Sequence, residues 1–294
     1  MTMATELDRA YDLCRRITKS EAKNFYYAFR TLPHRKRRAI YAAYAFFRRV
    51  DDVVDGDASV DVKRKQLEQA RTLMDPDRSV DGPDLVLLAL KHAIDEHSIP
   101  TSYFGDFVDG MEMDLVQTRY RDFEELRRYC YGVASAVGLI SIAVFGYTDP
   151  KAEEYAVDLG LAMQLANVLR DIGEDAGRDR IYIPTDELSA YGYSETDLLS
   201  GTTNDAFREL MSFQVERARQ YFRSGLKLIP LVSAESRACP SALAGVYSAI
   251  LDRIETSEYD VFSRRIGLSP VEKLLMVARL WATSRIPTAL LRKG

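Results

Sequence analysis

The spacing of the apolar residues constrains the fold of this chain more than any other feature of its sequence. Apolar positions recur with the period of an amphipathic α-helix along most of the 294 residues, and no sustained apolar–polar alternation is present. With 16 glycines and 10 prolines, long stretches contain no helix breaker. No linker, repeat or low-complexity tract divides the chain. The pattern therefore predicts an all-α fold with a single domain over residues 1–294.

The interruptions of this pattern set the helix boundaries that we predict. Gly56 is a plausible C-terminal stop, and the acidic turn at 122–125 suits the start of a helix. Residues 176–205 are rich in glycine and polar side chains, and they predict a long functional loop with one short helix. Turns are predicted at 75–77 and 81–83. The predicted helices span residues 5–30 (bent near Lys23 and Asn24), 34–55, 60–74, 84–97, 101–117, 122–146, 150–175, 205–228, 239–256 and 269–291.

Composition argues against several classes of protein. The net charge of −4 gives no indication of a nucleic-acid partner. The three cysteines are isolated, so the sequence suggests no disulfide framework, and the three scattered histidines give little support to a zinc site. The first sixteen residues contain no apolar signal core, and no uninterrupted apolar run is long enough to predict a spanning helix. These features predict a cytoplasmic protein.

A polar stripe runs along an otherwise apolar stretch, residues 164–175. Asn167, Asp171 and Asp175 are four residues apart, and Gln164 precedes Asn167 by three. On a helix these side chains share one face, where two stacked carboxylates repel each other unless a cation lies between them. Mg²⁺ prefers such oxygen ligands. The alternative is a buried polar network that is paired to Arg170 or another arginine.

A second acidic cluster repeats this geometry far away in the sequence. Asp51, Asp52 and Asp55 end an apolar helix, where negative charge opposes the helix dipole. The alternative is a solvated helix end whose ion pairs involve Arg48 and Arg49. Together, the two clusters predict a clamp in which Mg²⁺, or Mn²⁺ in its place, holds a diphosphate. Metal ligands predicted on this basis are Asp51, Asp52, Asp55, Asn167, Asp171 and Asp175.

The chemistry of such a clamp also requires an apolar cavity. When diphosphate leaves an allylic carbon, the remaining cation needs a dry, aromatic environment. The chain contains 17 tyrosines and 12 phenylalanines, and Phe25 and Tyr44 are candidates for this lining near the first acidic cluster. For most of these aromatic residues, ordinary core packing is the simpler interpretation.

Six motifs along the chain carry a family resemblance. They are NFYYAFRTLP (24–33), YAAYAFFRRVDDVVD (41–55), DGMEMDL (109–115), YCYGVASAVG (129–138), LGLAMQLANVLRDIGEDAGRDRIYIP (159–184) and YDVFSRR (259–265). Together these motifs resemble the squalene/phytoene synthase family of head-to-head prenyltransferases. The resemblance covers about residues 10–280 and implies an isoprenoid-synthase helical bundle with a central active-site cavity. In this family, Mg²⁺-dependent ionisation of one prenyl diphosphate is followed by attack of the other, through a cyclopropylcarbinyl diphosphate, to a C30 or C40 product.

The resemblance also implies roles for individual residues. Tyr129 matches a tyrosine proposed as a proton or cation partner and, with the aspartates and Arg48, makes up the catalytic set. Ala22 and Asn24 stand where many relatives have serines, so a phosphate contact there is in doubt, and Lys23 and the amide of Asn24 are its possible substitutes. For each assignment outside the aspartates, packing, a surface ion pair or a solvated loop is the alternative. Implied substrate-binding residues are Arg48, Phe25, Tyr44, Gln164, Asn167, Arg170, Tyr247 and Arg264, together with Arg178, Arg180 and Tyr182 in a flap over the phosphates.

Sequence alone leaves the product open. The YDVFSRR ending is more typical of phytoene synthases, which use geranylgeranyl diphosphate, while NFYYAF also suits squalene-pathway enzymes that use farnesyl diphosphate. The latter include squalene, dehydrosqualene and presqualene diphosphate synthases, and NADPH is required only if the product is squalene. A class I terpene cyclase is disfavoured by the run following Asp171, and a non-catalytic helical scaffold by the presence of all five aspartates.

The C-terminal segment has a basic, apolar composition. Residues 271–293 contain five basic residues and one acidic residue, with leucines between them. This pattern suits a helix on the inner face of an anionic membrane, but a final core helix with a basic outer side is the simpler interpretation. The oligomeric state is not predicted.

Overall fold

Helices make up the regular secondary structure of residues 3–22, 25–73 and 84–284, the part of the chain that the computed structural model describes. Within these ranges no β-strand forms, although isolated bridges join Arg119 to Ile181 and Tyr147 to Val232. The all-α prediction is confirmed. The helices are α1 Met3–Glu21, α2 Phe25–Phe29, α3 His34–Asp55, α4 Val60–Thr72, α5 Leu85–His97, α6 Ser102–Val116, α7 Phe123–Cys130, α8 Ala136–Phe145, α9 Lys151–Ala176, α10 Thr185–Ala190, α11 Glu195–Leu199, α12 Asp205–Gly225, α13 Ala238–Thr256 and α14 Pro270–Ser284.

The structure differs from the predicted boundaries in three places. The predicted helix over 5–30 is two helices, and the predicted bend at Lys23 and Asn24 lies outside the described residues. A π-helical turn, Tyr131–Ser135, joins α7 to α8 within the predicted helix over 122–146. The segment 176–205 contains two short helices, not one. The predicted turns at 75–77 and 81–83 and the end of the last predicted helix, 285–291, fall outside the described residues.

Helix α9 lies at the centre of the molecule. It packs along α12 and also contacts α8, α13 and the π-helical turn. Small residues allow close approach at two helix contacts. A Cβ atom added to Gly160 of α9 would lie 2.6 Å from the Cα of Ser135 in the π-helical turn. One added to Gly132 of that turn would lie 2.6 Å from the Cα of Gly110 in α6. The buried apolar residues form one contiguous cluster around this contact. This packing fixes the polar stripe of α9 relative to α3 and α6.

The ends of two helices confirm the signals that the sequence contained. Gly56 caps α3, and its N–H donates to the carbonyl of Asp52 at 3.1 Å. Gly56 has a φ of −67° and a ψ of 171°, so its backbone is extended and the helix end does not use the left-handed conformation. Asp122 caps α7 and accepts from the backbone N–H of Glu125 at 3.0 Å. Helix α3 therefore ends with Asp51 and Asp55 in its last turn.

Among the described residues, one continuous helical run, Phe123–Phe145, is long and apolar enough to span a bilayer by length and composition, although no spanning helix was predicted. Buried core helices meet the same criterion. More than half of its most apolar window, 56%, is buried against the rest of the protein, where it contacts α6 and α9. Its position is that of a core helix.

Candidate active site

A cavity of about 510 Å³ lies between the acidic faces of α3 and α9. One end is polar, and the remainder is lined by aliphatic and aromatic side chains. The polar lining comprises Asp51, Asp55, Asp114, Gln164, Asn167, Arg170, Asp171, Asp175, Arg178 and Arg180. The remaining lining includes Phe25, Phe29, Ile40, Tyr44, Phe47, Phe107, Met111, Tyr129, Val133, Val137, Val168 and Tyr182. The two acidic clusters that were predicted to face each other therefore share one cavity.

The last turn of α3 divides its aspartates between two environments. Asp51 and Asp55, four residues apart, line the cavity. Asp52 is rotated away from that face, and its side chain is 59% exposed and forms an ion pair with Arg48 at 2.5 Å. Neither Asp52 nor Arg48 is part of the cavity lining. The metal role predicted for Asp52 and the diphosphate role predicted for Arg48 stay predictions, and both would require this pair to separate.

The stripe on α9 lines the cavity over its whole length, from Gln164 to Asp175. Asp171 accepts from the Nε of Arg170 at 2.9 Å and from the Nε of Arg265 at 3.1 Å. The pairing with Arg170 that was the alternative to a metal site is therefore present. It accounts for only one of the two stripe carboxylates, because Asp175 forms no ion pair within the described residues.

Burial and mutual repulsion make the charged form of two cavity carboxylates unfavourable, which favours the binding of a cation between them. Burial raises the pKa of Asp51 to about 7, and the negative charges of Asp55, Asp52 and Asp114 contribute to the rise. Burial likewise raises the pKa of Asp175 to about 7, together with repulsion from Asp171 and Asp114. Desolvated carboxylates that repel one another gain most when a positive ion enters between them.

The amide of Asn167 provides an independent test of whether a divalent cation fits here. Its Nδ2 donates to the Oε1 of Gln164 at 3.3 Å, while its Oδ1 is buried and has no hydrogen-bond partner. A buried carbonyl oxygen without a partner is costly, and a metal ion would satisfy it. Within the described residues, no three His, Cys, Asp or Glu side chains are grouped closely enough to hold a metal by themselves. The donor set therefore fits an ion that also takes oxygen ligands from a phosphate group.

Asp114 on α6 was not assigned from the sequence and lies between the two acidic faces. Its Oδ1 accepts from the hydroxyl of Tyr182 at 2.9 Å, and its main-chain carbonyl accepts from the Nη2 of Arg180 at 3.1 Å. Burial raises the pKa of its carboxyl, against the opposing charge of Arg180. The motif that contains Asp114 was recognised in the sequence, but this residue was given no role. Its position was the available signal, because Asp114 is an acid on the same helix face as Phe107 and Met111.

Three stacked tyrosine rings lie beside Asp114, and two of them, Tyr129 and Tyr182, line the cavity. Tyr182 stacks on Tyr129 with ring centroids 5.2 Å apart and on Tyr120 at 5.5 Å. The hydroxyl of Tyr129 donates to that of Tyr182 at 3.5 Å. Burial raises the pKa of Tyr129 well above its ordinary value, so the phenol is a neutral donor in the free protein. Tyr182, which was predicted to lie in a flap over the phosphates, lines the cavity, and its role in such a flap stays a prediction.

The segment that supplies Tyr182 is anchored by backbone hydrogen bonds just before that residue. The N–H of Arg180 donates to the carbonyl of Asp175 at 2.9 Å, and the N–H of Ile181 donates to Thr118 at 2.9 Å. Arg178 remains 62% exposed at the cavity mouth and pairs with Glu174 at 3.1 Å. Arg178 and Arg180 are thus both placed near the carboxylates, as the predicted flap requires, although its movement stays a prediction.

The distal residues suggested by the resemblance occupy different environments. Tyr247 is buried in α13 and lines a second, mostly apolar cavity of about 170 Å³ that shares Phe25 and Asn167 with the first. Arg264 is exposed and is not part of either cavity lining. Its neighbour Arg265 instead contacts Asp171 and, at 3.4 Å, Glu174. The structure therefore places Arg265, not Arg264, beside the site.

Comparisons with known proteins agree with this geometry. The family model described as squalene/phytoene synthase matches residues 18–272. A 15-cis-phytoene synthase from Synechocystis is 37% identical over 292 residues, covering 95% of this chain and 87% of the relative. A 15-cis-phytoene synthase from Synechococcus elongatus is 39% identical over 291 residues, covering 94% of each. A crystal structure of a dehydrosqualene synthase in complex with ligand superposes with a TM-score of 0.86 at 28% identity, over 95% of this chain and 98% of that one.

The matched region contains both acidic helix ends, the tyrosine cluster and the segment after α9. The family model covers most of the chain, and the relatives match over nearly their whole lengths. The chain therefore belongs to the squalene/phytoene synthase family, the prenyltransferases that join two prenyl diphosphates head to head.

Proposed function

We propose that this protein is a phytoene synthase, which joins two molecules of geranylgeranyl diphosphate into a C40 hydrocarbon with Mg²⁺ and without NADPH. The observation that carries the proposal is the convergence of Asp51, Asp55, Asp171 and Asp175 on the polar end of an otherwise apolar cavity. The choice of a C40 product is supported by the relatives, which are named phytoene synthases at 36–39% identity over 94–97% of the chain.

The residues that would hold Mg²⁺ are the cavity-facing carboxylates and Asn167. When bound, the ion supplies positive charge that neutralises a departing diphosphate. Mn²⁺, with similar ligand preferences, is the alternative ion. The unpartnered Oδ1 of Asn167 and the raised pKa values of Asp51 and Asp175 support this assignment.

Arginines at the cavity mouth would bind the diphosphate oxygens. Arg178, Arg180 and Arg170 line the polar end, and Arg265 reaches it from outside. Their present partners are carboxylates, and guanidinium groups bind phosphate with the same bidentate geometry. An arriving diphosphate can therefore exchange with Asp171 as the partner of Arg265, whose side chain is 63% exposed and free to reorient.

The apolar part of the cavity would protect the allylic cation. Phe25, Phe29 and Tyr44 line it on one side, and Tyr129 and Tyr182 on the other. Their faces are electron-rich and would stabilise a cation, and this apolar lining gives water few hydrogen-bond partners near it. The hydroxyl of Tyr129 donates to that of Tyr182, which in turn donates to Asp114. This series of hydrogen bonds is positioned to hold or pass a proton at the cavity wall.

The deciding experiment is incubation of the purified protein and Mg²⁺ with each substrate. Geranylgeranyl or farnesyl diphosphate is supplied with and without NADPH, and hydrocarbons are identified by mass while diphosphate release is measured. A C40 product that does not depend on NADPH is expected. A faster C30 reaction from farnesyl diphosphate would contradict the choice of substrate, and absence of diphosphate release from both substrates would contradict the enzymatic function itself.

Two variants of α9 provide a charge-matched comparison. Asp175→Asn removes a cavity carboxylate and should lower kcat by about 10²–10³-fold or more, as expected for the loss of a preorganised charged group. Glu154→Gln removes one negative charge from an exposed position at the other end of the same helix and should leave kcat unchanged. Similar rates in both variants would show that Asp175 does not serve the reaction.

A further inference from the structure

A π-helical turn interrupts the helical wall of the catalytic cavity. Residues Tyr131–Ser135 join α7 to α8, and the N–H of Ala136 donates to the carbonyl of Tyr131, five residues earlier instead of the usual four. One turn of this kind accommodates one residue more than the α-helical turn that it replaces. Such turns are rare inside α-helices and are frequently found at functional sites. The extra residue rotates α8 relative to α7.

This rotation aligns the side chains that line the cavity. Tyr129 lies before the turn, Val137 and Ser141 lie after it, and all three line the cavity. In an uninterrupted α-helix, which turns by about 100° per residue, Val137 and Ser141 would be rotated by about 80° and about 120° from Tyr129. The extra residue removes about 100° from each rotation, so both side chains lie within about 20° of Tyr129. Without the π-helical turn, Tyr129 would not share a face with the rest of this wall.

The π-helical turn is held between α6 and α9. On the side of α6, the hydroxyl of Tyr131 donates to the Oδ2 of Asp106 at 3.0 Å, and Gly132 packs directly on the backbone of α6. On the side of α9, the Oγ of Ser135 donates to the carbonyl of Val157 at 2.8 Å. Each end of the turn is therefore anchored by one side-chain hydrogen bond.

The pair formed by Asp106 and Tyr131 lies outside the cavity. Neither residue is part of the lining of the catalytic cavity or of the second, apolar cavity. Both are partly buried, and burial raises the pKa of the Tyr131 hydroxyl to about 12, with a contribution from the hydrogen bond to Asp106. The phenol therefore remains a donor at neutral pH, and its bond to a carboxylate is stronger than one between neutral groups. The pair can position the cavity wall without touching a substrate.

We propose that Asp106 and Tyr131 are positioning residues for the reaction: their hydrogen bond holds the π-helical turn, and the turn holds the hydroxyl of Tyr129 beside Tyr182 in the cavity wall. The proposal rests on the proposed function, in which Tyr129 lines the part of the cavity that holds the allylic cation. Catalysis is sensitive to displacements of about 1 Å, so loosening the turn should slow the chemical step. Binding of the diphosphate depends on carboxylates and arginines elsewhere in the cavity and should be unaffected.

Steady-state kinetics of four variants test the proposal. Tyr131→Phe and Asp106→Ala each remove the hydrogen bond and should lower kcat by about tenfold, while KM changes by less than about twofold. Asp106→Asn keeps an acceptor oxygen in the same place and should retain at least about half of the wild-type kcat. The matched control is Tyr147→Phe, which removes another tyrosine–carboxylate hydrogen bond, to Glu153, and should leave kcat unchanged.

Two further measurements separate positioning from general stability. Urea unfolding should show similar losses of stability in Tyr131→Phe and Tyr147→Phe, because each loses one hydrogen bond of the same kind. In a Tyr129→Phe background, which lacks the hydroxyl that the turn positions, Tyr131→Phe should lower kcat by less than about twofold further. Equal losses of kcat in Tyr131→Phe and Tyr147→Phe would overturn the proposal. A full tenfold loss in the Tyr129→Phe background, or a loss in Asp106→Asn as large as in Asp106→Ala, would also overturn it.

Hydrogen–deuterium exchange reports on the turn without any reaction. Peptides that include the amide of Ala136 should exchange faster in Tyr131→Phe and Asp106→Ala than in the wild type, and at the wild-type rate in Asp106→Asn. Unchanged exchange in all three variants would overturn the role of the pair in holding the turn. A wild-type protein that releases no diphosphate from either substrate would instead contradict the proposed function, and the exchange rates would still decide whether the pair holds the turn.

Discussion

Replacing Asp51 by Asn should stabilise the metal-free protein at pH 8 while it abolishes turnover. Asp51 lines the cavity at the end of α3 and forms no ion pair within the described residues. Burial raises its pKa from 3.8 to about 7, so the charged form is unfavourable in the folded protein. Asn keeps the size of the side chain and has no charge to desolvate. The same change removes an oxygen charge from the predicted metal site.

The size and sign of the effect follow from the pKa shift. Below about pH 4 the carboxyl is protonated in the folded and unfolded chains, and the variant gains nothing. Between pH 4 and pH 7 the unfolded chain releases the proton first, so the free energy of unfolding of the wild type falls as pH rises. At about 1.4 kcal/mol per unit, the upper limit above pH 7 is about 4 kcal/mol. Asp51 borders a cavity that admits water, so a gain of about 2 kcal/mol is expected.

Urea unfolding in the presence of EDTA measures this gain at pH 8 and at pH 4, where it should shrink to about a quarter or less. Asp52→Asn is the matched control, because its side chain is 59% exposed and paired with Arg48. That variant should lose less than about 1 kcal/mol. If Asp51→Asn is no more stable than the wild type at pH 8, the idea of a desolvated, uncompensated carboxylate at this position is refuted.

Three further outcomes are expected. Added Mg²⁺ should raise the Tm measured by differential scanning fluorimetry more at pH 8 than at pH 6, because Asp51 and Asp175, whose pKa values are raised to about 7, must lose their protons to bind it. Equal increases in Tm at the two pH values would contradict this. Gly132→Ala should lower the free energy of unfolding, measured in urea, by about 1–3 kcal/mol, because its Cβ would lie 2.6 Å from the Cα of Gly110 in a neighbouring helix. The control Gly105→Ala has no atom within 4 Å of the new Cβ and should raise the free energy of unfolding by up to about 1 kcal/mol. Arg265→Gln should raise KM for the diphosphate substrate by about tenfold and Arg264→Gln should not, and steady-state kinetics that rank them the other way would reverse the placement of these arginines.

Periodic features were the ones that sequence could predict. The stripe on α9 is local, because residues four apart share a helix face wherever the helix lies. Asp51 and Asp55 were found for the same reason. Asp52 was grouped with them because it is adjacent to Asp51 in the sequence motif. A helix turns by about 100° per residue, so the side chain of Asp52 points away from the cavity that Asp51 lines.

Features that depend on packing between distant segments were missed. Asp114 is one acid in an apolar stripe, and its importance appears only when Tyr182 and Arg180 arrive from the segment after α9. The choice between Arg264 and Arg265 depends on an irregular segment, where neither the helical nor the strand period indicates direction. The π-helical turn at Tyr131–Ser135 likewise follows from the close approach of neighbouring helices, which the helical period of the sequence does not encode.

The three carboxylates of the cavity that are best placed for a cation differ in what they must give up to bind it. Asp171 is compensated by Arg170 and Arg265, so it would accept a metal only if those guanidinium groups turned elsewhere. Asp51 and Asp175 have no such partner within the described residues, and their burial makes the free state costly. A cation should therefore bind first where charge is uncompensated. An arriving diphosphate would then offer the released arginines a replacement partner, and this exchange would couple substrate binding to completion of the metal site.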